Sequence, residues 1–289
     1  MTMKKNIGKI FKEIRLKKSL SLEYVCNGIC SKASLSRFEN NTGDIPLNKF
    51  LKLLNKIEIS ESEFFSYIDQ NHDLVNSSFL DNIALLYGKK DIKGLSDFAN
   101  KLKQEYIVSN SKIEFLYYMI TVNFYNDLTN IKICSPTEIE RLYNVLFRTE
   151  EWDKLEIETF GNTVTLLNDD FTYSLSIELL EQIARIAKTN FPLYYNACFT
   201  LLNAFQVLIL RHSDLAKRLD TKLMDYKFIE VNATFNLSLY FLHSLIHLQK
   251  EDSDKLYKLE NMISVLKNSN CDTLACKLSN VLKTYLNEL

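Results

Sequence analysis

The sequence predicts an all-α protein in which a small five-helix head precedes a longer body of paired helices. Only 6 Gly and 3 Pro occur among the 289 residues, whereas folds built on strands and tight turns use many more of both. From His72 onward, apolar residues recur at helical spacing, and the alternation typical of strands is almost absent. These observations favour long helices joined by short connections.

Length and composition place the chain among soluble globular proteins with two domains. The hydrophobic fraction is 46% and the charged fraction is 25%, and both values are ordinary for such proteins. We expect the head to span residues 1–66, a linker to span 67–71 and the body to span 72–289.

Positive charge is concentrated in the head. Residues 1–66 carry 12 Lys or Arg and 7 Asp or Glu, a net charge of +5, whereas the rest of the chain has a net charge of -6. Positive charge attracts nucleic-acid phosphates through Coulomb steering and counterion release. A basic head on an acidic body is therefore typical of a nucleic-acid-binding domain joined to a regulatory one, although a Lys-rich segment can also be merely solvated.

The first three head helices have clear sequence signals. The apolar face of a first helix is formed by Ile7, Ile10, Phe11 and Ile14. Ser21 is a candidate N-cap for a second helix, and Asn27-Gly28 makes the turn that follows it. Ser31 is the candidate N-cap of a third helix from Lys32 to Glu39.

Two further start signals complete the head. Pro46 opens a fourth helix, and Ser60-Glu61-Ser62-Glu63 has the pattern of a capping box that starts a fifth. The head is therefore predicted to contain five short helices.

Five short helices with a serine-capped third helix resemble the helix-turn-helix domain of the phage-repressor type. The segment Ser31-Lys32-Ala33-Ser34-Leu35-Ser36-Arg37-Phe38-Glu39 stands where this family has its recognition helix. Arg15 stands where family members place an arginine that pairs with the recognition-helix glutamate, here Glu39. Two departures affect the fit to the groove: Leu22 replaces a frequent Gln, and Cys30 makes the turn one residue longer.

A recognition helix enters the major groove with its N-terminal residues at the base edges. The predicted DNA-binding residues are therefore Arg15, Ser31, Lys32, Ala33, Ser34, Ser36 and Arg37. Lys32 and Arg37 have donors for guanine or phosphate, and Ser34 suits either role. Ser31 and Ser36 suit phosphate contact or helix capping.

The body is predicted to consist of consecutive helices. The predicted helices span 72–88, 91–107, 111–128, 136–149, 153–168, 172–188, 192–211, 214–226, 231–248, 252–267 and 272–288. Ser135-Pro136-Thr137-Glu138 combines an N-cap serine, a first-turn proline and a capping-box glutamate. Successive pairs span roughly 40 residues, the period of helix–turn–helix solenoids. The body is thus similar to a degenerate tetratricopeptide-like array, and we expect a right-handed solenoid with a groove for an extended peptide.

The whole layout resembles the Rgg family of peptide-responsive transcription regulators of Gram-positive bacteria. The resemblance rests on the chain length, the helical body, the recognition-helix segment and the segments Glu158-Thr159-Phe160-Gly161-Asn162 and Leu201-Leu202-Asn203-Ala204. It implies a cytoplasmic homodimer that binds double-stranded promoter DNA. It also implies that a short hydrophobic signalling peptide of a quorum-sensing system binds the body and alters transcription.

Asparagine is a poor helix former, so its presence inside a predicted helix needs an explanation. Its amide both donates and accepts, so it can clamp a peptide backbone, and neighbouring aromatic rings can wall apolar pockets. The predicted peptide-binding residues are Asn162, Tyr194, Tyr195, Phe199, Asn203, Asn232, Asn236 and Tyr240.

Other interpretations of these residues stay open. The asparagines could instead cap helices or face solvent, and the aromatic residues could instead be buried in the hydrophobic core. The body also suits a protein-interaction scaffold that has no peptide ligand. The last predicted helix has apolar residues at four-residue spacing, which suits either contact with a partner or a cap on the array: Leu274, Leu278, Leu282 and Leu286.

The sequence favours neither catalysis nor a cofactor. It has no nucleophile elbow, phosphate-binding loop or zinc pattern, and we expect no enzyme. None of the six cysteines forms a Cys-x-x-Cys pair, so we expect reduced thiols. His243 and His247 have metal-pair spacing, but no third ligand lies nearby in the sequence, so we expect structural or surface histidines. No run of about 18 apolar residues suggests a membrane span, and no secretory signal is recognisable.

Overall fold

The computed structural model describes residues 7–71, 79–229, 231–249 and 252–288. Within these ranges the regular structure is α-helical and no β-strand occurs, which confirms the predicted all-α class. The chain divides into two compact units, Met1–Asp81 and Asn82–Leu289. Each unit has its own set of packed helices.

The first unit contains the five predicted head helices: α1 (Ile7–Lys17), α2 (Leu22–Cys26), α3 (Lys32–Glu39), α4 (Leu47–Lys56) and α5 (Glu61–Asn71). The predicted start signals are present. Ser21 Oγ accepts from the Tyr24 amide at 3.1 Å, and Pro46 directly precedes α4. The Ser60 amide donates to Glu63 Oε2 at 2.9 Å while the Glu63 amide donates to Ser60 Oγ at 3.2 Å, which is a complete capping box.

A cluster of phenylalanine rings lies at the centre of the head. Phe11 lies 6.1 Å from Phe50 and 6.4 Å from Phe64, measured between ring centroids. These three side chains are buried together with aliphatic residues of all five helices. Burial of this apolar surface provides most of the free energy that holds such short helices in place.

The residues predicted as a linker, 67–71, belong to α5. Ile68 is buried in the head core and Tyr67 packs against it, so the helix continues through the residues that were expected to form a linker. The two compact units divide between Asp81 and Asn82.

The body helices follow the predicted order with small shifts at their ends. The described helices are α6 (Phe79–Gly88), α7 (Ile92–Ser109), α8 (Lys112–Thr129), α9 (Pro136–Phe147), α10 (Lys154–Thr163), α11 (Asp169–Thr189), α12 (Phe191–Leu210), α13 (Asp214–Asp225), α14 (Ala233–Ile246), α15 (Ser253–Asn268) and α16 (Asp272–Glu288). Residues 72–78, which were predicted to open the first of them, lie outside the described residues.

The body helices are arranged in two layers. In the first, which we call layer A, α8, α10, α12 and α14 contact one another in succession, and in layer B, α9, α11 and α13 do so. Partners on neighbouring helices of layer A are 37 to 44 residues apart in the chain, as in the pairs Lys112–Glu156 and Tyr195–Asn232. This spacing agrees with the predicted period of roughly 40 residues for a solenoid.

Helix α12 lies at the centre of the body. It contacts α10, α11, α13, α14 and α16. Its length and mean hydropathy of 1.4 would suit a membrane span, although the sequence analysis found no such segment, and 61% of the apolar stretch is buried inside the body. Contacts with helices on several sides explain this composition, because a helix that is apolar all round is buried in a core.

The last helix closes one end of the solenoid. In α16, Leu278 and Leu282 are buried while Leu286 is exposed, and the helix packs on α12, α14 and α15. The apolar stripe predicted from the sequence is therefore used mainly within the chain, which favours the capping role.

Candidate functional site

The exposed face of α3 carries most of the predicted DNA-binding residues. Ser31 is the N-cap of this helix, because its Oγ accepts from the Ser34 amide at 3.1 Å. Leu35 points into the core and is fully buried. The outward positions are Ser31, Lys32, Ala33 and Arg37, which are exposed, and Ser34 and Ser36, which are half-buried.

Arg15 lies apart from this face, and its assignment as a DNA-contacting residue is corrected. Its residue is only 5% exposed. Nε donates to Glu39 Oε1 at 2.7 Å and Nη2 donates to Glu39 Oε2 at 2.8 Å, while Nη1 donates to the Leu20 carbonyl at 2.7 Å. The predicted pairing with Glu39 is therefore present. Because the guanidinium is buried and held by these partners, Arg15 positions α3 rather than reaching toward a ligand.

The turn between α2 and α3 adopts the conformation that Asn27-Gly28 predicted. Gly28 has a φ of +75°, a left-handed conformation that favours glycine. The amides of Ile29 and Cys30 both donate to the Cys26 carbonyl at 3.0 Å. Cys30 thus lies in a short hydrogen-bonded turn that leads into the N-cap of α3.

Lys49 adds positive charge near the start of α3, and the sequence analysis did not single it out. Burial raises the pKa of the Cys30 thiol and the nearby Cys26 thiol raises it further, while the Lys49 ammonium partly opposes them. Lys49 is exposed on α4, which contacts α2. Lys49 lies 17 residues after Lys32, the first residue of α3, which explains why no local pattern revealed it.

On α12, four of the side chains that stay accessible form one stripe. Tyr195, Phe199, Asn203 and Gln206 are half-buried, whereas most of the helix is buried. Their spacing of three or four residues places them on one face. This stripe lies between α10 and α14, which are the two neighbours of α12 in layer A.

The packing of α12 against α14 places predicted peptide-binding residues of the two helices at the same level along the helix axes. Asn232 Nδ2 donates to the Tyr195 hydroxyl, and the Phe199 and Phe235 ring centroids lie 5.9 Å apart. Residue numbers thus increase in the same direction along both helices. One turn beyond the pair of Tyr195 and Asn232, Phe199 lies at the level of Asn236, and two turns beyond it Asn203 lies at the level of Tyr240.

A close approach of helices joins α10 to α12. A Cβ atom on Gly161 would lie 2.9 Å from Thr200 Oγ1, and Thr200 Oγ1 donates to the Ile157 carbonyl at 3.5 Å. Asn162 follows Gly161 directly, and Asn203 lies one turn beyond Thr200. The two segments that carried the family resemblance therefore meet at this helix pair.

The predicted asparagines differ in the partners that they have. Asn162 Nδ2 donates to the Glu158 carbonyl at 2.8 Å. Asn232 is the N-cap of α14, with Oδ1 accepting from the Phe235 amide at 2.8 Å, so capping accounts for it. The side-chain amides of Asn203 and Asn236 have no hydrogen-bond partner among the described residues. Their amides are available to a ligand.

The aromatic residues divide in the same way. Tyr194 is fully buried and its hydroxyl donates to the Ile229 carbonyl at 2.9 Å, so it is a core residue and its assignment to the peptide site is corrected. Tyr195 and Phe199 are half-buried and lie 4.8 Å apart between ring centroids. Tyr240 is exposed. These three rings can contact a ligand on layer A.

A family model described as the C-terminal domain of the HTH-type transcriptional regulator Rgg matches residues 100–280. The chain belongs to the Rgg family. Because this is a family of transcriptional regulators, the chain is a regulator of this kind and the prediction of a non-enzyme is confirmed. Both family-like segments, residues 158–162 and 201–204, lie inside the matched range.

Solved structures share the Rgg fold along almost the whole chain. A protein from Listeria monocytogenes EGD-e is 20% identical with a TM-score of 0.76, covering 98% of this chain and 97% of its own. The SHP pheromone receptor Rgg2 of Streptococcus dysgalactiae is 20% identical with a TM-score of 0.70, covering 96% and 99%. PrgX in its complex with cCF10 is 18% identical with a TM-score of 0.66, covering 97% and 92%. These likenesses extend the shared fold through both units.

Proposed function

We propose that this Rgg-family chain is a cytoplasmic homodimer whose head binds double-stranded promoter DNA and whose body binds a short hydrophobic signalling peptide. Binding of the peptide changes the affinity of the head for its promoter. The solved structures of similar fold include a pheromone receptor and a peptide pheromone/receptor complex, which supports a peptide as the ligand of this body.

The head suits the DNA-binding role because its positive charge and its exposed helix coincide. Lys32 and Arg37 extend from the exposed face of α3, and Lys49 adds a third cation close to Cys30, two residues before α3 begins. The remaining exposed positions are small, which lets the helix approach base edges closely. Arg15 and Glu39 hold the helix at a fixed angle from inside the head.

The accessible stripe of α12 carries the proposal of a peptide ligand. Asn203 has an unpartnered amide at the middle of this stripe, with Phe199 on one side along the helix. An amide that both donates and accepts can hold a peptide backbone irrespective of its side chains. Half-buried rings beside it provide apolar contacts, which fits a short hydrophobic peptide.

Switching requires that the peptide bind one conformation of the dimer better than another, because a ligand shifts an equilibrium only by that difference. Layer A offers a route for such coupling, since α10, α12 and α14 are packed side by side. A peptide that contacts all three helices would favour one arrangement of the layer.

The proposal is tested by thermal unfolding of the purified full-length chain with a panel of short hydrophobic peptides. The single tryptophan, Trp152, is buried in the body and its fluorescence reports on that unit. A peptide present at about 100 times its dissociation constant stabilises the native state by about 2.7 kcal/mol, which corresponds to several degrees. Scrambled peptides of the same composition serve as controls.

A saturable shift from one peptide, together with a change in DNA retardation when that peptide is added, is the expected result. Absence of any shift, with DNA binding intact, would favour a body that binds segments of folded proteins instead. Light scattering of the same sample measures the mass of the particle, and a monomeric mass with DNA bound would contradict the homodimer.

A further inference from the structure

Three side chains with metal-ligating atoms converge between α13 and α14. Asp220 projects from α13, and His243 and His247 project from α14. His243 Nδ1 lies 2.9 Å from Asp220 Oδ1, and His247 Nε2 lies 3.1 Å from Asp220 Oδ2. One potential ligand atom from each residue lies within 4.8 Å of the other two. The sequence alone showed no third ligand near the two histidines, and the fold brings Asp220 next to them.

The carboxylate at this cluster is buried, and no lysine or arginine among the described residues is paired with it. Asp220 is 4% exposed, and within the described part of the chain its carboxylate is hydrogen-bonded only to the imidazoles of His243 and His247. The ammonium of Lys255 donates to the His247 carbonyl at 3.1 Å and pairs with Asp252 rather than with Asp220. A buried carboxylate is costly unless it is paired or coordinates a metal, and a divalent cation between the three residues would supply the missing charge.

The distances suit a small ion. Zn²⁺ binds imidazole nitrogen and carboxylate oxygen at about 2.0–2.2 Å, so tetrahedral ligand atoms lie roughly 3.3 Å apart. The separations of 2.9 and 3.1 Å in this cluster are close to that value, and small side-chain rotations would open the cluster to it. Two different ring nitrogens, Nδ1 of one histidine and Nε2 of the other, already face the same carboxylate.

Access from solvent comes through the imidazoles. The side chain of His243 is 37% exposed and that of His247 is 50% exposed, whereas that of Asp220 is 6% exposed. An ion held by the three residues would keep one position open to water, which is the pattern of a zinc site with three protein ligands.

We propose that Asp220, His243 and His247 form a binding site for a divalent transition-metal ion, with Zn²⁺ as the best match to two nitrogens and one oxygen. The ion cross-links α13 to α14. His243 lies within one turn of Tyr240, so the site fixes the helix that carries part of the layer A surface. In the absence of an ion, the carboxylate accepts hydrogen bonds from both rings, as the structure records.

The test uses the full-length chain, freed of metal with a chelator and then desalted. Its background variant is Cys271→Ser/Cys276→Ser, because these two exposed thiols could bind zinc independently of the cluster. Calorimetric titration with ZnCl₂ is expected to give one site per chain, and Co²⁺ is expected to give the visible absorption of a tetrahedral ion. X-ray absorption of the zinc-loaded protein is expected to show nitrogen and oxygen ligands without sulfur.

Three variants remove one ligand each: Asp220→Asn, His243→Ala and His247→Ala. Each is expected to weaken Zn²⁺ binding at least tenfold, with the circular dichroism of the metal-free protein unchanged for Asp220→Asn. The matched control is His212→Asn, which removes a histidine that lines a cavity with His247 but does not belong to the three-residue cluster, at a left-handed position, φ +51°, that asparagine tolerates.

Two results would overturn the proposal. One is the absence of saturable Zn²⁺ binding in the background variant at concentrations up to about a hundred micromolar. The other is binding that His247→Ala and Asp220→Asn leave within twofold of the background value. If the alanine variants fail to fold, the cobalt spectrum and the X-ray absorption of the unsubstituted site decide the question.

Discussion

Arg15 and Glu39 form a buried ion pair, with two parallel hydrogen bonds of 2.7 and 2.8 Å that join α1 to α3. Both side chains are almost inaccessible to solvent. A two-point contact between planar groups fixes angle as well as distance. The pair therefore fixes the angle at which α3 packs on α1.

We expect Arg15→Ala to destabilise the head by about 3–5 kcal/mol, because it leaves the Glu39 carboxylate buried without its partner. Hydrogen exchange of the full-length chain, followed by mass spectrometry, measures this locally. Peptides from residues 7–39 should lose protection by about a hundredfold or more, while body peptides keep theirs.

The control for this pair is the double variant Arg15→Leu/Glu39→Leu. Replacing both charges by apolar side chains removes the unpaired charge and is often neutral, so much of the protection should return. If the single and the double variant lose the same protection from hydrogen exchange, packing around Arg15, rather than the ion pair, holds α3 in place.

The helices and their start signals could be predicted from the sequence, because these depend on local contacts. The capping box at Ser135 and Glu138 is an example, with bonds of 3.2 and 2.8 Å between backbone amides and side chains. Asn168 and Asn190 likewise stand at breaks in the periodicity and cap α11 and α12. Patterns of this kind need only three or four residues.

Features that depend on distant residues could not be predicted in this way. Helix α10 ends at Thr163 rather than at 168, although Leu166 and Leu167 continue the apolar pattern and are buried. Arg211, more than forty residues away, donates to the Thr165 carbonyl at 2.8 Å and the Leu167 carbonyl at 2.7 Å. Arg211 therefore satisfies the backbone carbonyls of this turn. Leu166 and Leu167 can be buried even though the helix has ended at Thr163.

The same limit applies to the candidate sites. The amide of Asn232 looked like a ligand group but caps its own helix, and Tyr194 looked like a pocket wall but lies in the core. Composition and spacing cannot separate these roles, because the neighbouring helix decides which face is covered. Asp220 joins His243 only through the packing of α13 on α14.

Lys32→Ala and Arg37→Ala should each weaken DNA binding without unfolding the head. Both residues are exposed, and the 3.6 Å contact of Lys32 with Glu23 is a surface pair of small energetic value. If either residue contacts a phosphate, the slope of log affinity against log salt should fall by about 1. Retardation assays at several salt concentrations measure both quantities.

The charge control for these variants is Lys101→Ala, which removes an exposed lysine of the body that pairs only loosely with Glu105 at 3.8 Å. It should leave DNA affinity unchanged. Unaltered affinity in both head variants would remove α3 from the DNA interface.

Asn203→Ala should weaken binding of any peptide that gives a saturable thermal shift, by about 1–3 kcal/mol if the amide holds the backbone. The unbound protein should keep its stability, because Asn203 has no described partner to lose. Fluorescence anisotropy with a labelled peptide measures the affinity. Asn261→Ala, an exposed asparagine on α15, is the matched control, and equal affinity in the two variants would return Asn203 to the structural residues.

Gly8→Ala should destabilise the head strongly. A Cβ atom at this position would lie 1.9 Å from the Phe38 carbonyl oxygen, and backbone cannot move aside as a side chain can. Overpacking of this kind costs about 1–3 kcal/mol or more. Gly88→Ala is the control, since a Cβ there has nothing within 4 Å and alanine is the better helix former. Hydrogen exchange of α1 and α3 should increase only in Gly8→Ala.

Cys198 should be the least reactive of the described thiols, because burial raises the pKa of its thiol from about 9.0 to about 12. At pH 9 only about a thousandth of it is thiolate, and thiolate is the reactive form. Alkylation at that pH, mapped by mass spectrometry, should modify the exposed Cys271 and Cys276 long before Cys198. Since the folded state holds this proton more tightly than the unfolded state, its stabilising contribution is complete below pH 9 and is lost as the pH rises toward 12. Rapid alkylation of Cys198 in the native protein at pH 9 would mean that α12 opens to solvent more readily than its packing indicates.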